Sequence, residues 1–265
     1  MITKVSPAIY ACSLQEVKDH LRVNHSHDDD LIRSLLAGAN DRVQQEVNRQ
    51  LVTATYQMKI QSWWDREIRI PFPPLLKVNS ITYFDEDNAS QTLASSNYDV
   101  STYTTPGKIR WAYDATIPSV YYRPDAVTIE FIAGYCLSFT VNDTTNVFTV
   151  AEILDISDGA RVRLRTSDTL PAPLVEGKDY YLRDSSGLTF KVAETSGGSA
   201  VDLTTSGTGK HYVDLVPEPL KQAIKIAVGT WYDVVTEDVS VGYSTVQPMP
   251  MAGKYLMEPY RVWTL

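Results

Sequence analysis

Val216-Pro217-Glu218-Pro219-Leu220-Lys221-Gln222-Ala223-Ile224-Lys225-Ile226-Ala227-Val228-Gly229-Thr230-Trp231-Tyr232-Asp233-Val234-Val235 is the stretch on which the fold turns. Leu220, Ala223, Ile224, Ala227, Val228, Trp231, Val234 and Val235 recur at three- and four-residue steps, one broad apolar stripe. That spacing predicts a helix of about five turns. Pro217 suits the first helical turn, and Glu218 places negative charge at the positive end of the helix dipole. Such a helix is marginal alone in water and must lie on the rest of the chain, with Leu220, Ile224 and Trp231 as its core contacts.

Working outward, the N-terminal region reads as the receiving surface. Ser13-Leu14-Gln15-Glu16 fits a capping box, and Leu14, Val17 and Leu21 form one apolar face of a short helix. Asp28-Asp29-Asp30 supplies a cap and favourable charge for a second helix, whose stripe runs through Leu31, Ile32, Leu35, Leu36, Ala39, Val43 and Val47. A short polar turn between them makes a helical hairpin.

The period then falls to two. Val52, Ala54, Tyr56, Met58 and Ile60 alternate with polar residues, the mark of a half-buried strand. Ile68 and Ile70 continue it until Pro71-Phe72-Pro73-Pro74 stops regular structure. Further strands are expected at 78–84, 91–93, 97–100, 108–113 and 126–132, ending at Gly134-Tyr135.

Between Ser138 and Val213 the texture becomes rich in Thr, Ser, Gly and Asp, with short apolar runs between turn signals such as Ser157-Asp158-Gly159 and Ser185-Ser186-Gly187. It reads as a small all-β module inserted at a loop, where a longer connection costs little. After the long helix, Gly242, Pro248, Pro250, Gly253 and Pro259 rule out another long helix. Yet Tyr243, Met249, Tyr255, Tyr260 and Trp263 make the segment too aromatic for a solvated tail. An extended strap, docked on a partner or on its own subunit, is the expectation. The fold class expected is therefore α+β: a helical hairpin and a C-terminal helix packed with short antiparallel strands, plus an inserted all-β module. Residues 1–137 and 214–240 form the core, 138–213 the insert and 241–265 the arm.

Composition excludes several functions. The chain has 265 residues, 43% hydrophobic and 21% charged, as in an ordinary globular protein. A net charge of −8 argues against a nucleic-acid-binding exterior. Cys12 and Cys136 make neither a metal spacing nor a disulfide framework, which suits a reducing cytoplasm. No run reaches membrane-spanning length, and no charged-then-apolar leader opens the sequence. His25-Ser26-His27 with Asp28 fits an interhelix turn better than a metal site, and no cofactor motif is present. Asp85, Glu86 and Asp87 lie at a solvated hairpin tip, so no catalytic constellation emerges and no enzyme is expected.

The order of elements resembles the head–tail connector, or adaptor, proteins of long-tailed double-stranded DNA bacteriophages. The resemblance runs through Ser13 to Val23, Asp28-Asp29-Asp30-Leu31-Ile32, Arg49-Gln50-Leu51, Phe72-Pro73-Pro74-Leu75, Val78 to Tyr83, Tyr98-Asp99-Val100, Phe131 to Tyr135 and Val216 to Ile224. It covers about two-thirds of the chain. The module departs from that pattern and is similar to a β unit of phage virion proteins, through Thr169 to Leu174 and Gly177-Lys178-Asp179-Tyr180-Tyr181.

The resemblance implies a structural virion protein: a ring subunit, dodecameric in the family, beneath the portal vertex. It would be assembled in the host cytoplasm, would extend the DNA channel without binding DNA specifically, and would present a surface to the next neck or tail protein. The arm's Tyr255, Tyr260 and Trp263 would anchor it to the portal protein. A rival expectation is a carbohydrate-binding or host-recognition protein at the virion surface, using Tyr180-Tyr181 to stack sugars.

Overall fold

The computed structural model describes residues 1–5, 9–152, 156–236 and 251–263, leaving aside the side chains of 234–236. Val234, Val235, Gly242, Tyr243, Pro248, Met249 and Pro250, named above, lie outside the described side chains or residues. The chain divides into two compact units: unit 1 is Met1–Pro7, Asn48–Tyr135 and Val262–Leu265, and unit 2 is Ala8–Val47 and Cys136–Arg261.

Unit 1 is built from β1 (Ile2–Lys4), β2 (Ala54–Ile60), β3 (Glu67–Arg69), β4 (Leu75–Phe84), β5 (Ser90–Thr92), β6 (Tyr98–Ser101), β7 (Lys108–Trp111) and β8 (Val127–Ala133). Five strands pair in the order β1-β2-β8-β4-β5, and three in the order β3-β7-β6, all antiparallel. The alternation seen in the sequence sets the register: Tyr56 faces Phe131 and Met58 faces Ile129 across β2 and β8. These side chains, with Ile70, Leu75, Ile81 and Ile109, share one apolar core. Trp64 stacks on Trp111 at its margin, with ring centroids 4.9 Å apart. β1 was not legible as a strand, because three exposed residues carry no burial pattern.

Gly134 has φ +135°, and a Cβ there would lie 2.5 Å from the Thr53 backbone. This explains why the β8 strand ends in glycine where the chain closes on Leu51, whose carbonyl accepts from Tyr135 N–H at 2.9 Å.

Unit 2 joins α1 (Leu14–Leu21), α2 (Asp29–Val47), β9 (Leu137–Asn142), β10 (Val147–Val150), β11 (Arg161–Thr166), β12 (Asp179–Ser186), β13 (Thr189–Ala193), β14 (His211–Asp214), α3 (Glu218–Thr236) and α4 (Met251–Met257). The capping box at Ser13 forms as expected, with Glu16 N–H donating to Ser13 Oγ at 3.1 Å and Ser13 N–H to the Glu16 carboxylate at 2.7 Å. Lys18 Nζ lies 2.6 Å from Asp29 Oδ1 and ties α1 to α2. Leu220 and Ile224 on α3 are fully buried. Trp231 is half-buried, and its ring lies over Gly38 of α2 at a distance where a Cβ would make ordinary contact, 3.5 Å.

The six strands β9 to β14 close into a barrel in the order β10-β13-β12-β11-β14-β9. Closure leaves no free sheet edge. Phe139, Phe148, Phe190, Tyr180 and Leu182 fill its interior, with Phe148 stacked on Phe190 at 5.0 Å.

The fold is thus α+β with an all-β module, as the sequence implied. The strap differs in part. Residues 251–257 form a helix of seven residues, short enough to fit between Pro250 and Pro259, with Gly253 and Met257 buried.

Candidate interaction surfaces

Within unit 2 the barrel is tied to the helices by a buried ion cluster. Arg165 of β11 is 1% exposed. Its Nη2 donates to Asp214 Oδ2 at 3.0 Å and to the Ala11 carbonyl at 2.9 Å, and lies 2.6 Å from Glu16 Oε2. Lys221 Nζ on α3 reaches the same Asp214 oxygen at 3.2 Å. Arg163 spans Asp179, Glu16 and Glu218 at 2.7, 3.4 and 3.1 Å.

The electrostatics follow from this geometry. Burial opposes charge on Glu16, but Arg165 and the Ser13 N–H outweigh it and hold its pKa below the usual carboxylate range. Burial likewise opposes the Arg165 charge, yet Asp214 and Glu16 raise its pKa. Cys12, buried beside Glu16, is pushed up to about 12, chiefly by burial, so it is an inert thiol. Burial raises Glu176, which lines a polar pocket of about 210 Å³ with Cys12, Ser13, Arg33 and Thr166. Gly177 beside it has φ +79°, and a Cβ there would meet Ser13 Oγ at 3.2 Å. The run containing Gly177 therefore seats the barrel against the N-terminus of α1. Sequence reasoning missed this cluster, because Glu16, Arg165, Asp214 and Lys221 are distant in sequence and each looks like an ordinary surface charge.

The three arm residues fall in different settings. Tyr255 is exposed on α4, while Tyr260 is half-buried in the helical turn Glu258–Tyr260 of the same unit. Arg261 pairs with Glu46 at 3.4 Å. Trp263 belongs to unit 1, where it is exposed and helps line a pocket. Asn48 Nδ2 donates to the Val262 carbonyl at 3.3 Å there. In the barrel, Tyr180 is 1% exposed and its hydroxyl accepts from Val175 N–H at 2.9 Å, so its face is closed to a sugar. Tyr181 beside it is half-buried.

Among the described residues no three His, Cys, Asp or Glu side chains gather where a metal could sit. His25 stands 3.9 Å from Asp28, whose carboxylate also accepts from Tyr232 Oη at 2.5 Å. No described helix is long and apolar enough to cross a membrane.

Residues 12–106 match the model of the family described as phage gp6-like head-tail connector protein. The whole chain, 100% of it, aligns with 97% of a chain in the neck of an empty GTA particle computed with C6 symmetry, at TM-score 0.57 and 15% identity. A chain in the virion of a native gene transfer agent (GTA) particle aligns over the same shares at TM-score 0.55 and 14% identity. The neck of a native GTA particle computed with C12 symmetry gives the same coverage, TM-score and identity. At these identities the likeness is one of fold. No curated protein matches the chain.

Proposed function

We propose that this chain is a structural subunit of a phage-type neck, an adaptor that joins the portal vertex of a DNA-filled head to the neck or tail and extends the DNA channel. The observation that carries this reading is the fold match over the entire chain to a neck chain, together with the connector-family match at residues 12–106. The net charge of −8 supports a channel wall past which DNA slides without being gripped. A homo-oligomeric ring, a dodecamer by analogy, needs two unlike side faces on each subunit. The portal protein and a downstream neck or tail-completion protein are the partners, and the particle neck is the location.

In this proposal residues 241–265 dock on the portal through Tyr255, Tyr260 and Trp263. The exposure of Tyr255 and Trp263 supports that role. Deleting the arm from Gly253 is a poor test, because Met257 is 2% exposed and its loss would open unit 2. Point substitutions are cleaner: Tyr255→Ala and Trp263→Ala should each weaken joining to heads by about 2 kcal/mol with the melting curve unchanged. Normal occupancy of heads by the double variant would remove the arm from the proposal.

The proposal also treats residues 138–213 as a guest within a core of 1–137 and 214–240. Excision of the guest removes Arg163 and Arg165, leaving Asp214 paired with Lys221 and Glu16 without either arginine. The shortened chain should still melt cooperatively. The adaptor reading as a whole is tested by imaging purified necks with the protein labelled. A label found elsewhere on the particle, or absent from necks, would sink it.

A further inference from the structure

Exposed apolar side chains are unevenly distributed over this protein. Of the fourteen large hydrophobic residues that stand exposed among the described residues, ten belong to unit 1. Four of these, Tyr113, Ile117, Tyr121 and Tyr122, fall within ten residues of one irregular segment. Tyr113 projects fully, at 101% relative exposure. Charge is distributed unevenly too. The sequence of unit 1 has nine Lys and Arg against nine Asp and Glu, whereas unit 2 has fifteen against twenty-three and holds the entire −8. Unit 1 thus carries no net charge to oppose its meeting a second copy.

Unit 1 also carries an apolar pocket. Pro71, Phe72, Pro73, Pro106, Val262 and Trp263 wall this pocket of about 200 Å³, with Asn48 and Arg69 at its polar edge. Phe72 is held there at φ +59°, a strained conformation for a bulky residue. Proline and phenylalanine faces suit a ring, and Arg69 or Asn48 can meet a phenol hydroxyl.

We infer that the chain packs head to tail against a second copy through unit 1, with Tyr113 of one copy seated in the Phe72 pocket of the next. The inference rests on the ring reading above and names its contact. The placement of the two features supplies the reason. Arg69 faces Lys108 across β3 and β7, and Ile70 N–H donates to the Gly107 carbonyl at 2.8 Å, so the pocket lies at the Lys108 end of this three-stranded sheet. Tyr113 follows Trp111, which faces Tyr98 at the opposite end. Knob and hole at opposite ends of one sheet are unlike surfaces. Their contact is heterologous, repeats from copy to copy, and closes into a ring if the rotation closes.

The test uses the full-length chain carrying Arg69→Cys and Tyr113→Cys, both exposed positions, in assembled necks. A short bismaleimide then links facing thiols; Cys12 and Cys136 are buried and spared. The double variant is expected to give a ladder of covalent oligomers, and each single variant none. Separately, Tyr113→Arg should raise the concentration needed for self-assembly by about tenfold or more. A covalent dimer from either single variant would overturn the inference in favour of a face-to-face contact. Linkage exclusively to a different neck protein would overturn it in favour of that partner. Necks in which copies sit side by side without a ladder would overturn it while leaving the ring reading intact. Necks in which the unmodified chain forms no multimer would remove the ring reading and this contact together.

Discussion

Arg165 of β11 and Asp214 at the end of β14 form a buried ion pair, 3.0 Å from Nη2 to Oδ2, inside unit 2. The pair does more than join two strands of the barrel. Through Glu16 at 2.6 Å and Lys221 at 3.2 Å it connects the barrel to α1 and α3. Buried pairs gain little over apolar replacements, but removing one partner leaves an uncompensated charge.

That asymmetry ranks two variants. Asp214 balances both Arg165 and Lys221, so Asp214→Asn leaves two buried cations with reduced compensation and should cost about 3–5 kcal/mol. Arg165→Met leaves Asp214 still paired with Lys221 and should cost less. Denaturant unfolding of the two variants gives the order, and the reverse order would contradict this account of the cluster.

Acid should act through Glu16. Its folded-state pKa is depressed, so its contribution to stability is present above the unfolded carboxylate value and is lost as pH falls through the folded one. Melting temperature should therefore fall on acidification below about pH 4.5, the ordinary range of a glutamate. Glu16→Gln should flatten that fall while lowering stability at pH 7. A variant with an acid limb as steep as the parent's would count against Glu16.

Glu176 carries the opposite sign. Burial raises its pKa, so stability is lost as pH rises from the ordinary carboxylate range towards the raised value. Glu176→Gln should raise the melting temperature at pH 7, and the gain should vanish in acid where the parent is itself protonated. Thermal scans at pH 7 and pH 4 read both halves.

Gly134→Ala tests the close approach in unit 1. The φ of +135° and the 2.5 Å approach to Thr53 leave no room for a methyl group. A loss of about 1–3 kcal/mol is expected from backbone strain alone, with the steric conflict adding to it. Gly187→Ala, at φ +59° in the left-handed region and with nothing within 4 Å, should cost less.

What was legible in the sequence was whatever neighbouring residues specify. Ser13 and Glu16 cap a helix three residues apart, and Leu220 to Trp231 write their stripe at helical spacing. Tyr56 and Met58 alternate as a half-buried strand requires. These signals settle α1 to α3, most strands and the α+β class, but not α4 in the expected strap, because local periodicity and capping are properties of short segments. Tertiary structure decided the rest. The barrel closes by pairing β9 with β14, from Leu137 opposite Val213 to Phe139 opposite His211, and no local pattern sets that register. Arg165 became a buried tie only when folding brought Glu16 and Asp214 to it from opposite sides in the sequence. The Phe72 pocket and the exposure of Tyr113 depend likewise on which surfaces the core leaves uncovered. Long-range neighbours, not residue types, set the energy of those groups.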